Sequence, residues 1–289
     1  MKESADQYLR KPEWLRVKLT KAQDYGHVKG VLEASYLHTI CESGACPNKA
    51  ECWSAGTATF MILGDICTRN CRFCNVKTGR PLPPDPNEPL RVAEAVKSMG
   101  VKHCVITSVD RDDLTDGGAS VWAETIRNVR TIAPETTIEI LIPDFKGNVA
   151  DIQTVIDEKP DVVGHNLETV RRLTREVRVF ADYDTSLDVL AYMAISSNIT
   201  TKSGIMLGLG ETENEIYETM DDLIGVNCKV LTIGQYLQPT RNHLPVKNYV
   251  HPDDFDRYGI IARDKGFQFV ESAPLVRSSY HAERTIRKV

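Results

Sequence analysis

The chain has 289 residues, 42% hydrophobic and 26% charged, which is long enough to bury a large core without disulfide staples. Its formal net charge is −5 with no long basic run, which argues against a nucleic-acid-binding surface. No stretch approaches the roughly 18 consecutive apolar residues of a membrane span, and "MKESADQYLRKPEWLRVKLT" lacks the apolar region of a secretory leader, so a cytoplasmic protein is expected.

In chain order, residues 1–57 form an N-terminal extension that carries Cys41, Cys46 and Cys52 in "CESGACPNKAEC", spaced C-x4-C-x5-C. From residue 58 onward, apolar runs at 59–66, 103–109, 137–143, 161–168, 202–209 and 230–237 alternate with helical patterns. Each run is rich in β-branched residues without clean alternation, as in parallel strands buried on both faces. The helical patterns cover Leu90 to Met99, about Ala119 to Ile132, Val149 to Asp157, Ser186 to Ser197 and Glu213 to Ile224, with a last helix opened by Pro252 and closed near Gly266. Six strand–helix units with right-handed crossovers imply an α/β fold, a partial (β/α)6 barrel of the TIM type over residues 58–266. Residues 267–289 are a C-terminal extension. In such barrels the chemistry sits at the C-terminal ends of the strands, and the turn "CTRNCRFC" follows the first one.

Eight cysteines in such a chain point to metal or redox chemistry. Six of them fall between residues 41 and 74, the second group being Cys67, Cys71 and Cys74, spaced C-x3-C-x2-C. A four-iron cluster offers four irons, so three thiolates leave one iron open to a small molecule. The alternative is zinc, which usually takes four ligands from paired hooks, and neither compact triplet has a second hook. Cys104 and Cys228 stand alone in or beside apolar runs and read as small hydrophobes. His38, His103 and His165 lack the spacing of a metal-binding pair and read as packing or hydrogen-bonding residues.

The C-x3-C-x2-C turn after the first strand, with Phe73 before the last cysteine, resembles the radical S-adenosylmethionine (SAM) superfamily. Its combination with C-x4-C-x5-C and with "RSSY" (Arg277 to Tyr280) resembles the lipoyl synthase family within it. "TSVDRDDLTDGGA", "HNLETV", "TKSGIMLGLGET", "LTIGQYLQPT", "HLPV" and "PLVRSSYHA" follow in that family's order, and the likeness covers roughly residues 31–283.

The resemblance implies two 4Fe-4S clusters per chain and SAM as cosubstrate. Cys67, Cys71 and Cys74 would hold the cluster that binds SAM at its open iron and cleaves it to a 5′-deoxyadenosyl radical. Cys41, Cys46 and Cys52, with Ser279 favoured over Ser278, would hold an auxiliary cluster that gives up sulfur. The implied reaction inserts sulfur at C6 and C8 of an octanoyl chain on a lysine of a lipoyl carrier domain or glycine-cleavage H protein. Electrons would come from a donor such as ferredoxin or flavodoxin, and a monomer is expected. Asn166 and Glu168, two residues apart at the end of the fourth strand and so on the same face, would grip ribose hydroxyls, and Phe73 would pack near adenine. Arg178 is a candidate for the SAM carboxylate or a solvated helix-face arginine. Arg171, Arg172, Arg175 and Arg178 read as a solvated face or as a steering patch for an acidic carrier. No single aspartate of "SVDRDDLTDGG" stands out.

Rival readings are another sulfur-inserting radical enzyme, such as a biotin synthase or a tRNA methylthiotransferase, and a non-catalytic iron–sulfur carrier or sensor. Biotin synthases lack the first triplet and RSSY, methylthiotransferases bring a basic RNA-binding domain, and a carrier has no use for "HNLE" at a barrel rim.

Overall fold

The computed structural model describes residues 9–16, 25–54 and 58–286. Much of the N-terminal stretch considered above as a leader therefore lies outside the described residues. The chain opens with α1 (Tyr25–Ala34), β1 (His38–Thr39), α2 (Ile40–Ser43) and α3 (Lys49–Ser54). A strand β2 (Thr59–Ile62) leads to a short ribbon, β3 (Ile66–Cys67) and β4 (Lys77–Thr78). Strands and helices then alternate: α4 (Glu88–Ser98), β5 (His103–Ser108), α5 (Ala119–Ile132), β6 (Thr137–Leu141), α6 (Val149–Ile156) and β7 (Val162–Gly164). There follow α7 (Thr174–Val177), α8 (Tyr183–Ser196), β8 (Thr200–Leu207), α9 (Glu213–Gly225), β9 (Val230–Gln235) and α10 (Pro252–Lys265). The described chain closes with β10 (Phe269–Ser272) and α11 (Glu283–Ile286).

The main sheet has eight strands in the order β1-β2-β5-β6-β7-β8-β9-β10. β1 pairs antiparallel with β2, and all the others pair in parallel with their neighbours. Six strand–helix units thus wind as the sequence implies, with β1 and β10 at the edges of a partial barrel. Every residue of β2 and β9 is buried, which explains their continuous apolar runs. The helices cover the outside through apolar stripes. α5 buries Trp122, Ile126 and Val129 at helical spacing, about 1.5–3 kcal/mol for each side chain so covered.

Two departures from the sequence expectation have clear causes. The run at 59–66 is not one strand, because Leu63 (φ 70) and Gly64 (φ 92) turn left-handed after β2. The buried Glu88 carboxylate accepts the Leu63 N–H at 2.7 Å and fixes that turn. Beyond α10, "FVES" pairs with β9 as a further parallel strand, so residues 269–272 are part of the sheet.

The tail beyond β10 stays against β9. Ala273 donates its N–H to Ile233 O at 3.2 Å, and Gln235 donates to Pro274 O at 3.1 Å. Gly234 makes this possible, since a Cβ there would lie 2.2 Å from the Val276 carbonyl oxygen. We expect Gly234→Ala to push the tail off β9 and to cost about 1–3 kcal/mol by the overpacking it forces. Urea unfolding of the variant beside the parent chain measures this, and an unchanged midpoint would refute the packing argument.

Candidate active site

A cavity of about 590 Å³ lies within the barrel and opens at the C-terminal ends of the strands. Cys67, Cys71 and Cys74 line it from the β3–β4 turn, and Cys41 and Cys46 line it from the N-terminal segment. Asn166, Glu168, Arg178, Phe73 and Ser279 also line it. Cys52 does not line the cavity but lies close enough to Cys41 and Cys46 to feel their charge. None of the eight cysteines is in a disulfide. Cys104 and Cys228 are buried in the core, the latter with its thiol donating to Val230 O at 3.4 Å.

The cysteine turn is held by a buried arginine that lies inside it. Arg69 forms two bidentate pairs, with Asp112 at 2.7 and 2.9 Å and with Asp144 at 2.7 Å for both bonds. A third carboxylate, Asp110, stands 3.6 Å away. These aspartates follow β5 and β6, so one guanidinium ties the turn to two neighbouring strand ends. Thr68 adds a hydrogen bond from its hydroxyl to Asp110 O at 2.9 Å. On the other side, His243 Nε2 donates to Cys74 O at 2.9 Å and Leu244 N donates to Arg72 O at 3.2 Å, so the "HLPV" segment clamps the turn.

Burial, reinforced by Asp110, raises the thiols of Cys67 and Cys71 to about 12, and burial raises Cys74 to about 11. Burial and the charges of Cys41 and Cys46 likewise raise Cys52 to about 12. In the protein alone these thiols hold their protons, which iron must displace. The donor set fits four-iron clusters, in which each thiolate takes a different iron. Among the described residues, no group of three His, Cys, Asp or Glu is placed to hold a single ion.

Asn166 and Glu168 meet, but not by strand alternation. β7 ends at Gly164, and Glu168 adopts a left-handed φ of 66° fixed by β8 through Glu168 N to Gly204 O (2.9 Å) and Met206 N to Glu168 O (2.8 Å). Asn166 Nδ2 then donates to Glu168 Oε1 at 3.0 Å. Gly204 leaves the room, since a Cβ there would stand 3.1 Å from Asn166 Oδ1. Non-glycine residues rarely adopt this backbone, and such strain concentrates at functional sites.

Arg178 is buried rather than solvated, donating to Leu167 O at 3.2 Å and Ser186 Oγ at 3.0 Å. His165 shares that serine at 3.1 Å, and burial together with Arg178 lowers its imidazole to about 4, so it is neutral. Arg171, Arg172 and Arg175 each pair with a carboxylate, of Asp184, Glu215 and Asp182 respectively, which makes them a salt-bridged face. Of the acidic run after β5, Asp110 alone faces both Cys67 and the cavity; Asp112 serves Arg69, Asp113 pairs with Arg111, and Asp116 caps α5. On the cavity floor, Lys202 Nζ lies 2.6 Å from Glu139 Oε1, a buried pair that the sequence reading did not anticipate.

The radical SAM superfamily profile matches residues 61–223. Among solved structures, HydG, a maturase of the FeFe-hydrogenase, superposes with a TM-score of 0.57 at 14% identity, over 91% of this chain and 76% of that one. Streptococcus suis SuiB bound to S-adenosylmethionine gives 0.59 at 13% identity, over 79% and 54%. The fold and the profile place the chain in the radical SAM superfamily. Curated relatives refine this: lipoyl synthase of Bacteroides fragilis is 57% identical over 98% of both chains, and the mitochondrial lipoyl synthase of Nematostella vectensis 55% over 96% of this chain and 95% of its own. The chain belongs to the lipoyl synthase family, radical SAM enzymes that work with SAM and 4Fe-4S clusters. Among the described residues, no helix is long and apolar enough to cross a membrane.

The Arg69 cluster makes stability depend on pH. Burial alone would raise the Asp144 carboxyl, but hydrogen bonds and charge from Arg69 outweigh it and hold the group at about 2. A depressed folded value means that the stabilisation is complete above the ordinary carboxylate range and fades as pH falls from about 4 to about 2. We expect about 2 kcal/mol to be lost across that window. Denaturant titrations at pH 5 and pH 2 should show a smaller drop in Asp144→Asn than in the parent chain. Arg69→Leu, which strands three carboxylates, should cost about 3–5 kcal/mol at neutral pH.

Proposed function

We propose that Cys67, Cys71 and Cys74 hold the cluster that binds SAM, and that Cys41, Cys46, Cys52 and Ser279 hold the auxiliary cluster. The observation that carries this reading is the shared cavity: members of both cysteine groups, Ser279 and the Asn166–Glu168 pair line one space. When bound, the clusters and SAM supply one-electron chemistry and sulfur, which no side chain can provide. The chain's own residues bind, orient and exclude water. Asn166 and Glu168 present an amide and a carboxylate suited to ribose hydroxyls. Arg178 sets a buried positive charge beside Cys71, where it suits a carboxylate. Phe73 offers an apolar face toward adenine.

The reaction is the insertion of two sulfur atoms, at C6 and C8 of a protein-bound octanoyl-lysine, to give the lipoyl group. The chain divides into the ligand-bearing extension 1–57, the barrel 58–266 and the C-terminal extension 267–289. Its partners are an octanoylated lipoyl domain or glycine-cleavage H protein and a donor such as ferredoxin or flavodoxin. The enzyme acts as a cytoplasmic monomer that engages neither nucleic acid nor membrane.

Ser279 suits a donor cluster because an alkoxide matches iron less well than a thiolate does and is released more readily. Ser279→Cys should therefore retain the auxiliary cluster but insert sulfur more slowly; full turnover by that variant would count against the rationale. Anaerobic incubation of reconstituted protein with SAM, a reductant and an octanoyl-lysine peptide should add two sulfurs by mass and release 5′-deoxyadenosine. Cys41→Ala should still release 5′-deoxyadenosine without sulfur transfer, and Cys71→Ala should lose both. The opposite division between the two variants would reverse the assignment.

A further inference from the structure

Ser278 and Ser279 are adjacent, but their hydroxyls have different surroundings. Asn166 Nδ2 donates to Ser278 Oγ at 2.6 Å and to Glu168 Oε1 at 3.0 Å. Both N–H bonds of one amide are thus committed, one inside the Asn166–Glu168 pair and one to a segment 112 residues away. Neither end of this link is slack. Asn166 lies close over Gly204, where a Cβ would stand 3.1 Å from its Oδ1, and Glu168 is fixed to β8 through both its N–H and its carbonyl. The C-terminal segment is held by the close approach of Val276 to Gly234 and by Asn48 Nδ2 donating to Leu275 O at 2.7 Å. Arg277 adds a second connection, its guanidinium lying within the electrostatic reach of both Glu168 and Cys46.

We propose that Ser278 is a positioning residue that couples the two ends of the cavity. Its hydrogen bond to Asn166 makes the geometry of the Ser279 segment depend on what engages the Asn166–Glu168 pair, and the dependence runs equally in the other direction. Reciprocity follows from linkage: if one ligand alters the affinity for the other, the reverse effect has the same size. The inference rests on the assignment above of SAM to Asn166–Glu168 and of the auxiliary cluster to Ser279.

The test is a thermodynamic cycle on reconstituted, unreduced full-length enzyme. SAM affinity is measured by equilibrium dialysis in the chain with both clusters and in a Cys41→Ala, Cys46→Ala, Cys52→Ala chain that cannot build the auxiliary one. One hydrogen bond is worth a change of about threefold or more between these two states. Ser278→Thr, which keeps the hydroxyl, should preserve that ratio, whereas the isosteric Ser278→Val should bring it to about one. Mössbauer spectra of the auxiliary cluster should respond to SAM in the parent and Thr chains and not in the Val chain. A ratio as large in Val as in Thr, or a ratio of one in the parent chain, overturns the coupling. A Val chain that fails to assemble the auxiliary cluster while Thr succeeds also overturns it, because Ser278 would then serve assembly alone. A parent chain that binds no SAM, or carries one cluster, refutes the site assignment instead, so the two failures are distinguishable.

Discussion

The geometry of the site depends on one buried cation. Arg69 sits between the first and second cysteines of the C-x3-C-x2-C turn and is matched by Asp112, Asp144 and, at longer range, Asp110. A turn with three thiols has little local structure of its own and buries too little apolar surface to fix its shape. Its rigidity is imported from β5 and β6 through fork-shaped hydrogen bonds that tolerate little misalignment. A buried charge group of this kind is weak evidence for net stability, because desolvation offsets much of the attraction. What it does specify is register: the cysteines stand where two strand ends place them.

The second cysteine group is organised by different means. Asn75, next to Cys74, donates to Ser43 O at 3.0 Å, which links the two groups directly. Asn48 reaches Leu275, and Tyr280 donates its hydroxyl to Glu51 at 3.1 Å, so the N-terminal and C-terminal segments are bonded to each other. Segments more than two hundred residues apart thereby bring Cys41, Cys46 and Ser279 to one side of the cavity. The small side chain of Gly234 lets that closure lie close to the sheet.

How much of this was legible in the sequence varies with the physics of each element. Helices such as Ala119–Ile132 were visible because a stripe at helical spacing is a local signal, and the buried parallel strands because they are dense in β-branched residues. The break at Leu63 was not, since a left-handed leucine depends on a carboxylate, Glu88, that arrives 25 residues later. Cysteine spacing located the turn but said nothing of Arg69, whose partners lie 43 and 75 residues downstream. An arginine inside a cysteine turn is nonetheless a clue, because a buried guanidinium requires carboxylates nearby. Asn166 and Glu168 were found for the wrong geometric reason: the expected strand alternation is absent, and a strained residue brings the side chains together instead.

The same division of labour bears on why a cluster can be spent. Small metal-dependent domains fold only when loaded, so losing the metal unfolds them. Here one apolar core runs through the strands and their helices and takes in Val28, Leu32, Cys41 and Trp53 of the N-terminal segment. Trp53 is fully buried against Tyr25, Val276 of the tail is buried, and the Asn48–Leu275 hydrogen bond joins the N-terminal and C-terminal segments. None of these contacts uses a cysteine or Ser279. On the ligand assignment proposed above, loss of the auxiliary cluster would leave these contacts in place, since none of them depends on it. Consuming a cofactor in each catalytic cycle is favoured where part of the fold is carried by residues other than the ligands, as in these contacts, while Cys41 and Cys67 also belong to the core.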